Sequence, residues 1–266
     1  MVTAFMDSIT PTKTINLLWT GGWDSTFSLL ILMDKNVIIQ PYYIIDKQRT
    51  SYKKEIETMD NIRAAIYEKY PDKLRSFLPT KYTNLDEIEI DEEIYNKYQN
   101  LRRDASLGTQ YYWIASYAKK LGINDFQLSV QKHLRDEDST VLRLLTGYIR
   151  KTDDGIIRPY WEPQNLSDDL DISIFSYFHF PIFDYTKLDM SSMAKKDGYY
   201  DILNLSWFCH SPIKTQPCGI CKPCIIAVEE GLSDRLPSKA LRRYKYRGIY
   251  TLYYKTISKI KRYMKR

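Results

Sequence analysis

The chain has 266 residues, of which 44% are hydrophobic, so it can bury the core of a large domain and intrinsic disorder is not expected. No stretch reaches the roughly 18 uncharged apolar residues that a membrane-spanning helix needs, and residues 1–14 lack the basic start and apolar run of a secretory leader. These features predict a cytoplasmic protein without a membrane span.

The formal net charge of +6 comes from one end of the chain. Residues 239–266 contain 11 Lys and Arg and no Asp or Glu, whereas the remainder carries a balance of −5. Apolar residues from Ile249 to Met264 fall near helical spacing, which predicts a basic helical tail. Either this helix packs against the body with a solvated basic side, or it binds an anionic partner, a nucleic acid or an acidic protein surface.

Along the chain, apolar segments with the length of strands alternate with segments that have the length and composition of helices. A β-α-β order implies a parallel sheet, so the predicted fold class is α/β. Residues 150–175 are predicted to be a polar excursion from this body. The predicted strands are residues 15–19, 37–46, 125–130 and 179–183, and the predicted helices are residues 25–33, 52–70 and 107–121, the last ended by Gly122.

The first predicted strand runs into Trp-Thr-Gly-Gly-Trp-Asp-Ser-Thr at residues 19–26. Where a buried strand turns into a helix, free amides and the positive helix end point at one spot, and Gly21 and Gly22 would let a phosphate approach them. Asp24 is a candidate Mg²⁺ ligand, and further hydroxyl donors come from Thr20, Ser25 and Thr26. The segment lacks the Gly-Lys-Ser/Thr that ends a Walker A motif, which disfavours an ATPase that transfers the γ-phosphoryl group. A glycine turn with Asp and Ser capping a helix is the alternative.

All four cysteines lie in one short segment with the spacing C-x8-C-x2-C-x2-C. Such spacing predicts a tetrahedral Zn²⁺ site formed by Cys209, Cys218, Cys221 and Cys224. Disulfides are disfavoured in a cytoplasmic chain, and burial alone does not explain four cysteines in a polar loop. His210 is an alternative to one of the sulfur ligands. Four protein ligands leave no position for a reactive water, so the predicted zinc is structural.

Residues 20–25 resemble the Ser-Gly-Gly-x-Asp-Ser PP-loop of the N-type ATP pyrophosphatases, with Thr20 in place of the first Ser. Together with the cysteine spacing, the chain is similar to the QueC-type 7-cyano-7-deazaguanine synthases over most of residues 14–235. The resemblance implies a parallel-sheet PP-loop fold of the adenine nucleotide alpha hydrolase type over residues 1–204, a zinc segment at 205–235 and a tail at 236–266. It also implies cleavage of ATP to AMP and pyrophosphate, with adenylation of a carboxylate such as 7-carboxy-7-deazaguanine and formation of an amide or nitrile.

Individual site residues follow from the same resemblance. Asp46-Lys47-Gln48-Arg49 is similar to the family's Asp-Tyr-Gly-Gln-Arg segment, and Lys187 lies in a similar strand-turn-helix stretch. The implied catalytic residues are Asp24, Ser25 and Lys187. The implied ATP-binding residues are Thr20, Gly21, Gly22, Asp24, Ser25, Thr26 and Asp46, and the implied cofactors are Mg²⁺ and Zn²⁺.

Two segments depart from the family pattern. "RRDASLGTQ" replaces a Phe-Val-Pro-Gly-Arg-Asn motif, with Arg102 and Arg103 as the nearest cations, and "SVQKHLRDED" replaces the substrate loop. In the second segment the candidate pocket groups are Lys132, His133, Arg135 and Asp136, although a solvated charged turn is an equal interpretation. Recognition of the acid is therefore expected to differ from that of the family.

Three functions remain open from the sequence. The first is a QueC-like enzyme that activates a carboxylate. If it is similar to the QueC-like members of anti-phage gene clusters, a macromolecule accepts the activated acyl group. The second is a tRNA-thiolating PP-loop enzyme, although zinc would occupy the cysteines that thiolation needs. The third is a non-catalytic nucleotide-binding subunit. The sequence also leaves a homodimer open.

Overall fold

The computed structural model describes residues 13–133, 140–157, 159–164, 166–167 and 170–250. Within this part of the chain the strands are β1 (Thr14–Leu18), β2 (Ile38–Ile45), β3 (Lys81–Asn84), β4 (Phe126–Gln127), β5 (Ile149–Thr152), β6 (Tyr160–Pro163) and β7 (Phe178–His179). The α-helices are α1 (Trp23–Leu32), α2 (Tyr52–Lys69), α3 (Glu92–Asp104), α4 (Gln110–Leu121), α5 (Thr140–Leu145), α6 (Lys187–Lys196), α7 (Tyr200–Asn204), α8 (Lys222–Glu229) and α9 (Ser238–Lys245).

Among the described residues, five strands form an all-parallel sheet in the order β3-β2-β1-β4-β7, and β5 pairs with β6 as an antiparallel hairpin. Along β2, Ile39 and Tyr43 enter one hydrophobic cluster, whereas Tyr42 and Ile44 enter another. Successive side chains of a strand point to opposite faces, so both faces of the sheet are covered by apolar layers. The predicted α/β class with a parallel sheet is confirmed.

The strand order reverses direction beside β1. The chain first builds the sheet outward from β1 through β2 to β3, and then returns to the other side of β1 to add β4 and β7. In open parallel sheets a crevice opens outside the carboxyl ends of the strands at such a reversal, and ligands bind there. The loops after β1 and β4 therefore define the place where a ligand site is expected.

Three predicted elements differ in extent from the observed ones. The predicted strand at 125–130 is only the two-residue β4, and the predicted strand at 179–183 is β7, which ends at His179. Pro181 follows closely and has no N–H with which to extend a ladder. The predicted helix at 107–121 begins at Gln110 but ends at Gly122 as expected, in the left-handed conformation with φ +66°.

Helix α3 and the hairpin of β5 and β6 are not among the elements predicted from the sequence. In α3 only Ile94 and Tyr98 are buried, and the helix is started by Asp91, whose carboxylate accepts a hydrogen bond from the Ile94 N–H at 3.0 Å. In the hairpin of β5 and β6, which lies inside the predicted polar excursion, only Ile149 and Tyr160 are buried. Backbone pairing between the two strands stabilises this part of the chain, and no apolar periodicity along either strand marks it in the sequence.

The basic tail is described as far as residue 250 and includes α9. Arg243 of this helix donates from Nε to the Cys218 carbonyl at 2.6 Å and from Nη2 to the Pro217 carbonyl at 3.0 Å, so this cation holds the cysteine segment. The helix predicted from Ile249 to Met264 lies almost wholly outside the described residues. None of the helices in the described ranges is long and apolar enough to cross a bilayer.

Candidate functional site

The turn between β1 and α1 is held open by its two glycines. Gly21 has φ +67°, and a Cβ atom there would lie 3.0 Å from Met59 Cγ and 3.2 Å from the Glu55 carbonyl. Gly22 is the N-cap of α1, and no side chain caps the helix, so the first-turn amides are left for a ligand. The Trp207 N–H donates to the Gly21 carbonyl at 2.9 Å, which fixes the outer side of the turn.

The hydroxyl groups of this turn are bonded mainly to one another. The Thr20 N–H donates to Ser25 Oγ at 3.2 Å, and the Oγ atoms of Thr20 and Ser25 are also 3.2 Å apart. Thr26 is fully buried and accepts a hydrogen bond from Trp19 Nε1 at 3.2 Å. Ser25 and Thr26 therefore shape the turn from inside, while Thr20 reaches the cavity that the turn faces.

Lys187 lies at the start of α6, whose first turn is fixed by a capping box between Thr186 and Asp189. Its Nζ lies 2.7 Å from Asp24 Oδ1 and donates to Gln131 Oε1 at 2.8 Å. The Lys187 side chain is only 12% exposed, whereas that of Asp24 is 32% exposed. Two residues that are 163 positions apart and that the sequence assigned to catalysis are thus in direct contact.

A cavity of about 430 Å³ opens where the loops after β1 and β4 meet. Its walls include Thr20, Gly22, Asp24 and Lys187, and its positive side chains are Arg49, Lys187, Lys222 and Arg235. Four cations and two acids, Asp24 and Glu55, give the cavity walls an excess of positive charge, which suits a polyanionic ligand.

The two segments that depart from the family pattern both reach this cavity. The first contributes Ser106, Leu107, Gly108 and Gln110, whereas Arg102 and Arg103 are not among the lining residues. The second contributes Ser129, Val130, Gln131 and His133, but Lys132 does not line the cavity, and Arg135 and Asp136 lie outside the described residues.

Asp46 lies next to the cavity rather than in its wall. Its Oδ1 accepts a hydrogen bond from the Gln48 N–H at 2.9 Å and so stabilises the turn that presents Arg49. The Arg49 guanidinium lies 2.9 Å from Glu55, a buried carboxylate that also accepts hydrogen bonds from Tyr43 and Ser51. Burial, followed by the negative charge of Glu55, raises the pKa of Tyr43, so this phenol stays a donor.

Arg235 is a cavity residue that the sequence analysis missed. Its guanidinium lies 4.7 Å from the Trp23 ring and 4.9 Å from the Phe208 ring, and it donates to the backbone and hydroxyl of Ser206. Burial lowers its pKa to about 10, so the side chain remains a cation near neutral pH. No short motif marks this residue, because its neighbours are distant in sequence.

Glu230 is a second missed residue, at the C-cap of α8. It is buried, and its carboxylate lies 3.1 Å from Gln131 Nε2 and 2.8 Å from His133 Nδ1. Burial raises the pKa of this carboxyl, but the His133 hydrogen bond and the Lys187 charge outweigh burial and leave the pKa lowered. A continuous polar network therefore runs from Asp24 through Lys187, Gln131 and Glu230 to His133.

The four cysteines form one compact group, with all Sγ atoms within 4.8 Å of one another. The Cys218–Cys224 and Cys209–Cys221 sulfur pairs are each 3.9 Å apart, so the thiols are free and not disulfide-bonded. Tetrahedral Zn²⁺ with Zn–S bonds of about 2.3 Å places sulfurs about 3.8 Å apart, and the observed spacing fits that geometry. Among the described residues this is the single cluster of three or more His, Cys, Asp or Glu that could hold a metal.

The backbone around the cysteines supports negatively charged sulfur. The N–H groups of Ile220 and Cys221 donate to Cys218 Sγ at 3.4 and 3.2 Å, and the Cys218 N–H donates to Cys209 Sγ at 3.2 Å. Gly219 is required in this turn, because it has φ +80° and a Cβ atom there would lie 2.1 Å from the Ala240 carbonyl. His210, the alternative ligand from the sequence, lines the cavity and is not in the metal-ligand group.

Comparisons with protein-family models and with curated proteins find no match for this chain.

We expect Gly21→Ala to destabilise the protein more than Gly122→Ala. Both glycines have φ near +66°, but a Cβ atom at Gly122 meets nothing within 4 Å, so that change costs only the backbone strain of about 1–2 kcal/mol. At Gly21 the contacts with Met59 and Glu55 add an overpacking cost of about 1–3 kcal/mol. Chemical denaturation of both variants measures the difference, and equal losses would show that the turn can widen freely.

Proposed function

We propose that this chain is an ATP-dependent enzyme that adenylates a carboxylate and releases AMP and pyrophosphate. The observation that carries the proposal is the position of the glycine turn. A strand, the sequence Thr-Gly-Gly-x-Asp-Ser and a helix occur in the order that the PP-loop resemblance implies, at the reversal point of a parallel sheet. The same turn faces a cavity with an excess of positive charge.

The triphosphate would bind across the start of α1. The uncapped first-turn amides and the Thr20 hydroxyl provide hydrogen-bond donors, and Lys187 provides positive charge from the other side of the turn. Asp24 fits Mg²⁺ as a hard carboxylate ligand, since this ion commonly takes one or two carboxylates and completes its shell with waters and phosphates. Bound there, Mg²⁺ would supply neutralisation of the pyrophosphate charge.

The chain's own part in the reaction is orientation and charge neutralisation. A carboxylate oxygen of the acid attacks the α-phosphorus, and the bond from that phosphorus to the oxygen bridging the β-phosphorus breaks, with the electron pair leaving on pyrophosphate. Lys187 and Arg49 line the cavity and would neutralise the negative charge that develops on pyrophosphate. The glycine turn itself contains no lysine to bind the terminal phosphate. Alignment and preorganised charge are the principal sources of rate in such a transfer.

The proposed substrate is an acid of the 7-carboxy-7-deazaguanine type, for which the cavity offers apolar and aromatic lining from Leu107, Tyr111, Trp207 and Phe208. Because both departing segments also line this cavity, we expect the acid to be activated but the later steps to differ from those of the family. Thiolation of tRNA is disfavoured, since the four cysteines form one group suited to a structural metal.

Labelled ATP, incubated with Mg²⁺ and 7-carboxy-7-deazaguanine, tests the proposal. We expect the acid to stimulate formation of AMP and pyrophosphate, with ammonia alone giving little nitrile; mass spectrometry follows the acid, amide and nitrile together. ADP and phosphate as the main products would contradict cleavage between the α and β phosphates. Binding of ATP without turnover would instead indicate a nucleotide-binding subunit.

A further inference from the structure

We propose that His133 is the general base of the second half-reaction, the attack of ammonia or an amine on the adenylated carboxyl, and that Glu230 is its positioning residue. This inference rests on the proposed function, because it requires an acyl adenylate. It concerns two residues that lie in or beside the segments where the chain departs from the family pattern.

The geometry is that of a histidine oriented by a buried carboxylate. His133 follows β4 and lines the cavity, with Nδ1 2.8 Å from Glu230 Oε1, and its side chain is 21% exposed whereas that of Glu230 is 7% exposed. When Nδ1 donates its proton to the carboxylate, the lone pair of the ring lies on Nε2. A carboxylate in this position both fixes the imidazole and stabilises the imidazolium that forms when Nε2 takes a proton.

Glu230 is itself held firmly. Gln131 Nε2 donates to its Oε2 at 3.1 Å, and Lys187 Nζ lies 4.0 Å from the same oxygen. The network that orients His133 is thus continuous with the Asp24–Lys187 pair beside the glycine turn. Phosphate binding and base orientation therefore share one set of side chains.

The other polar groups of the cavity are less suited to the role. Asp24 is paired with Lys187, and Glu55 is engaged by Arg49 together with two hydroxyl donors. Lys187, Arg49 and Arg235 are cations with no lone pair to offer. Of the two cavity histidines, His133 has a carboxylate at hydrogen-bond distance, whereas no carboxylate of the described residues lies within ion-pair distance of the His210 ring.

The step balances as an ordinary aminolysis. The nitrogen lone pair forms a bond to the acyl carbon, and Nε2 of His133 removes a proton from the nitrogen of the adduct. The carbon–oxygen bond to AMP then breaks, and its electron pair leaves on the AMP phosphate. The products are the amide, AMP and a protonated His133, which returns its proton to solvent.

The test separates the two half-reactions in His133→Gln, using 7-carboxy-7-deazaguanine as the acid. Exchange of labelled pyrophosphate into ATP, measured without ammonium, reports adenylation and is expected to fall far less than amide formation, because Lys187 keeps its contacts with Asp24 and Gln131. Amide formation with ammonium is expected to fall by about 10²- to 10⁴-fold, the usual range for loss of a general base. Hydroxylamine, a weakly basic nucleophile whose adduct loses its proton readily, is expected to restore product formation.

Glu230→Gln is expected to show the same pattern more weakly, with a larger loss in amide formation than in exchange. His179→Gln is the matched control, because His179 also lies near a glutamate, Glu162 at 3.7 Å, but is not a cavity residue. Wild-type amide formation by His133→Gln, or equal losses with ammonia and hydroxylamine, would overturn the inference alone. If 7-carboxy-7-deazaguanine does not stimulate pyrophosphate exchange in the wild type, the proposed function is overturned. The wild-type exchange is therefore measured before any variant is made.

Discussion

Asp24→Asn is expected to reduce AMP formation by about 100-fold or more at saturating ATP and Mg²⁺, since loss of one preorganised charged group from such a site commonly costs 10²–10³ in rate. The amide keeps the size of the side chain and can still accept a hydrogen bond from Lys187, which lies 2.7 Å from Asp24 Oδ1 in the native chain. The substitution thus removes the negative charge offered to Mg²⁺ while the fold is preserved. Initial rates of AMP release measure the effect.

The matched control is Asp72→Asn, in an exposed turn away from the cavity, which is expected to keep wild-type turnover. A larger Mg²⁺ requirement in Asp24→Asn would further support metal binding at this carboxylate. Undiminished turnover with an unchanged Mg²⁺ requirement would instead show that Asp24 serves only as the partner of Lys187.

Cys221→Ser is expected to release the metal and destabilise the protein substantially. Structural zinc supplies on the order of 10 kcal/mol of binding free energy in small zinc modules, and binding is coupled to local folding. Three of the four cysteines are packed in the same hydrophobic cluster as Ile15 and Leu17 of β1, so the loss extends into the core. Elemental analysis and thermal unfolding, with and without a chelator, measure both effects.

His210→Gln is the control for the ligand set and is expected to retain one zinc per chain, since His210 is outside the metal-ligand group. A metal-free preparation of the wild type with the same thermal stability as the metal-containing protein would refute the zinc site. Loss of zinc from His210→Gln would mean that the imidazole replaces one of the four sulfurs.

The parts of the fold that the sequence predicted are those with strong local patterns. The β1–turn–α1 unit combines a continuous apolar run with two glycines, and the cysteine spacing confines four sulfurs to 16 residues, so both could be located without tertiary information. By contrast, α3 is not among the predicted elements, although Ile94, Tyr98 and Leu101 fall at helical spacing after the N-cap Asp91.

The cavity depends on contacts that no local pattern encodes. The Lys187–Asp24 contact spans 163 residues, and only the family resemblance marks Lys187 in the sequence. Arg235 and Glu230 belong to no short sequence motif, and their roles follow from the partners that the fold brings to them: aromatic rings for Arg235, and Gln131 and His133 for Glu230. Such partners are set by the docking of the C-terminal segment onto the sheet, which is a long-range event.

The hydrogen bond from the Trp207 N–H to the Gly21 carbonyl has a thermodynamic consequence. It joins the backbone two residues before Cys209 to the turn proposed to hold phosphate, while α8 has Cys221 as its N-cap and Glu230 as its C-cap. Metal and nucleotide would then act as mutual effectors: whatever factor zinc adds to nucleotide affinity, nucleotide must add to zinc affinity. Coupling free energies between sites are typically about 1–3 kcal/mol, which corresponds to a change of about 5- to 150-fold in affinity. A zinc ion with a purely structural part would in this way help to set the nucleotide concentration at which the cavity is filled.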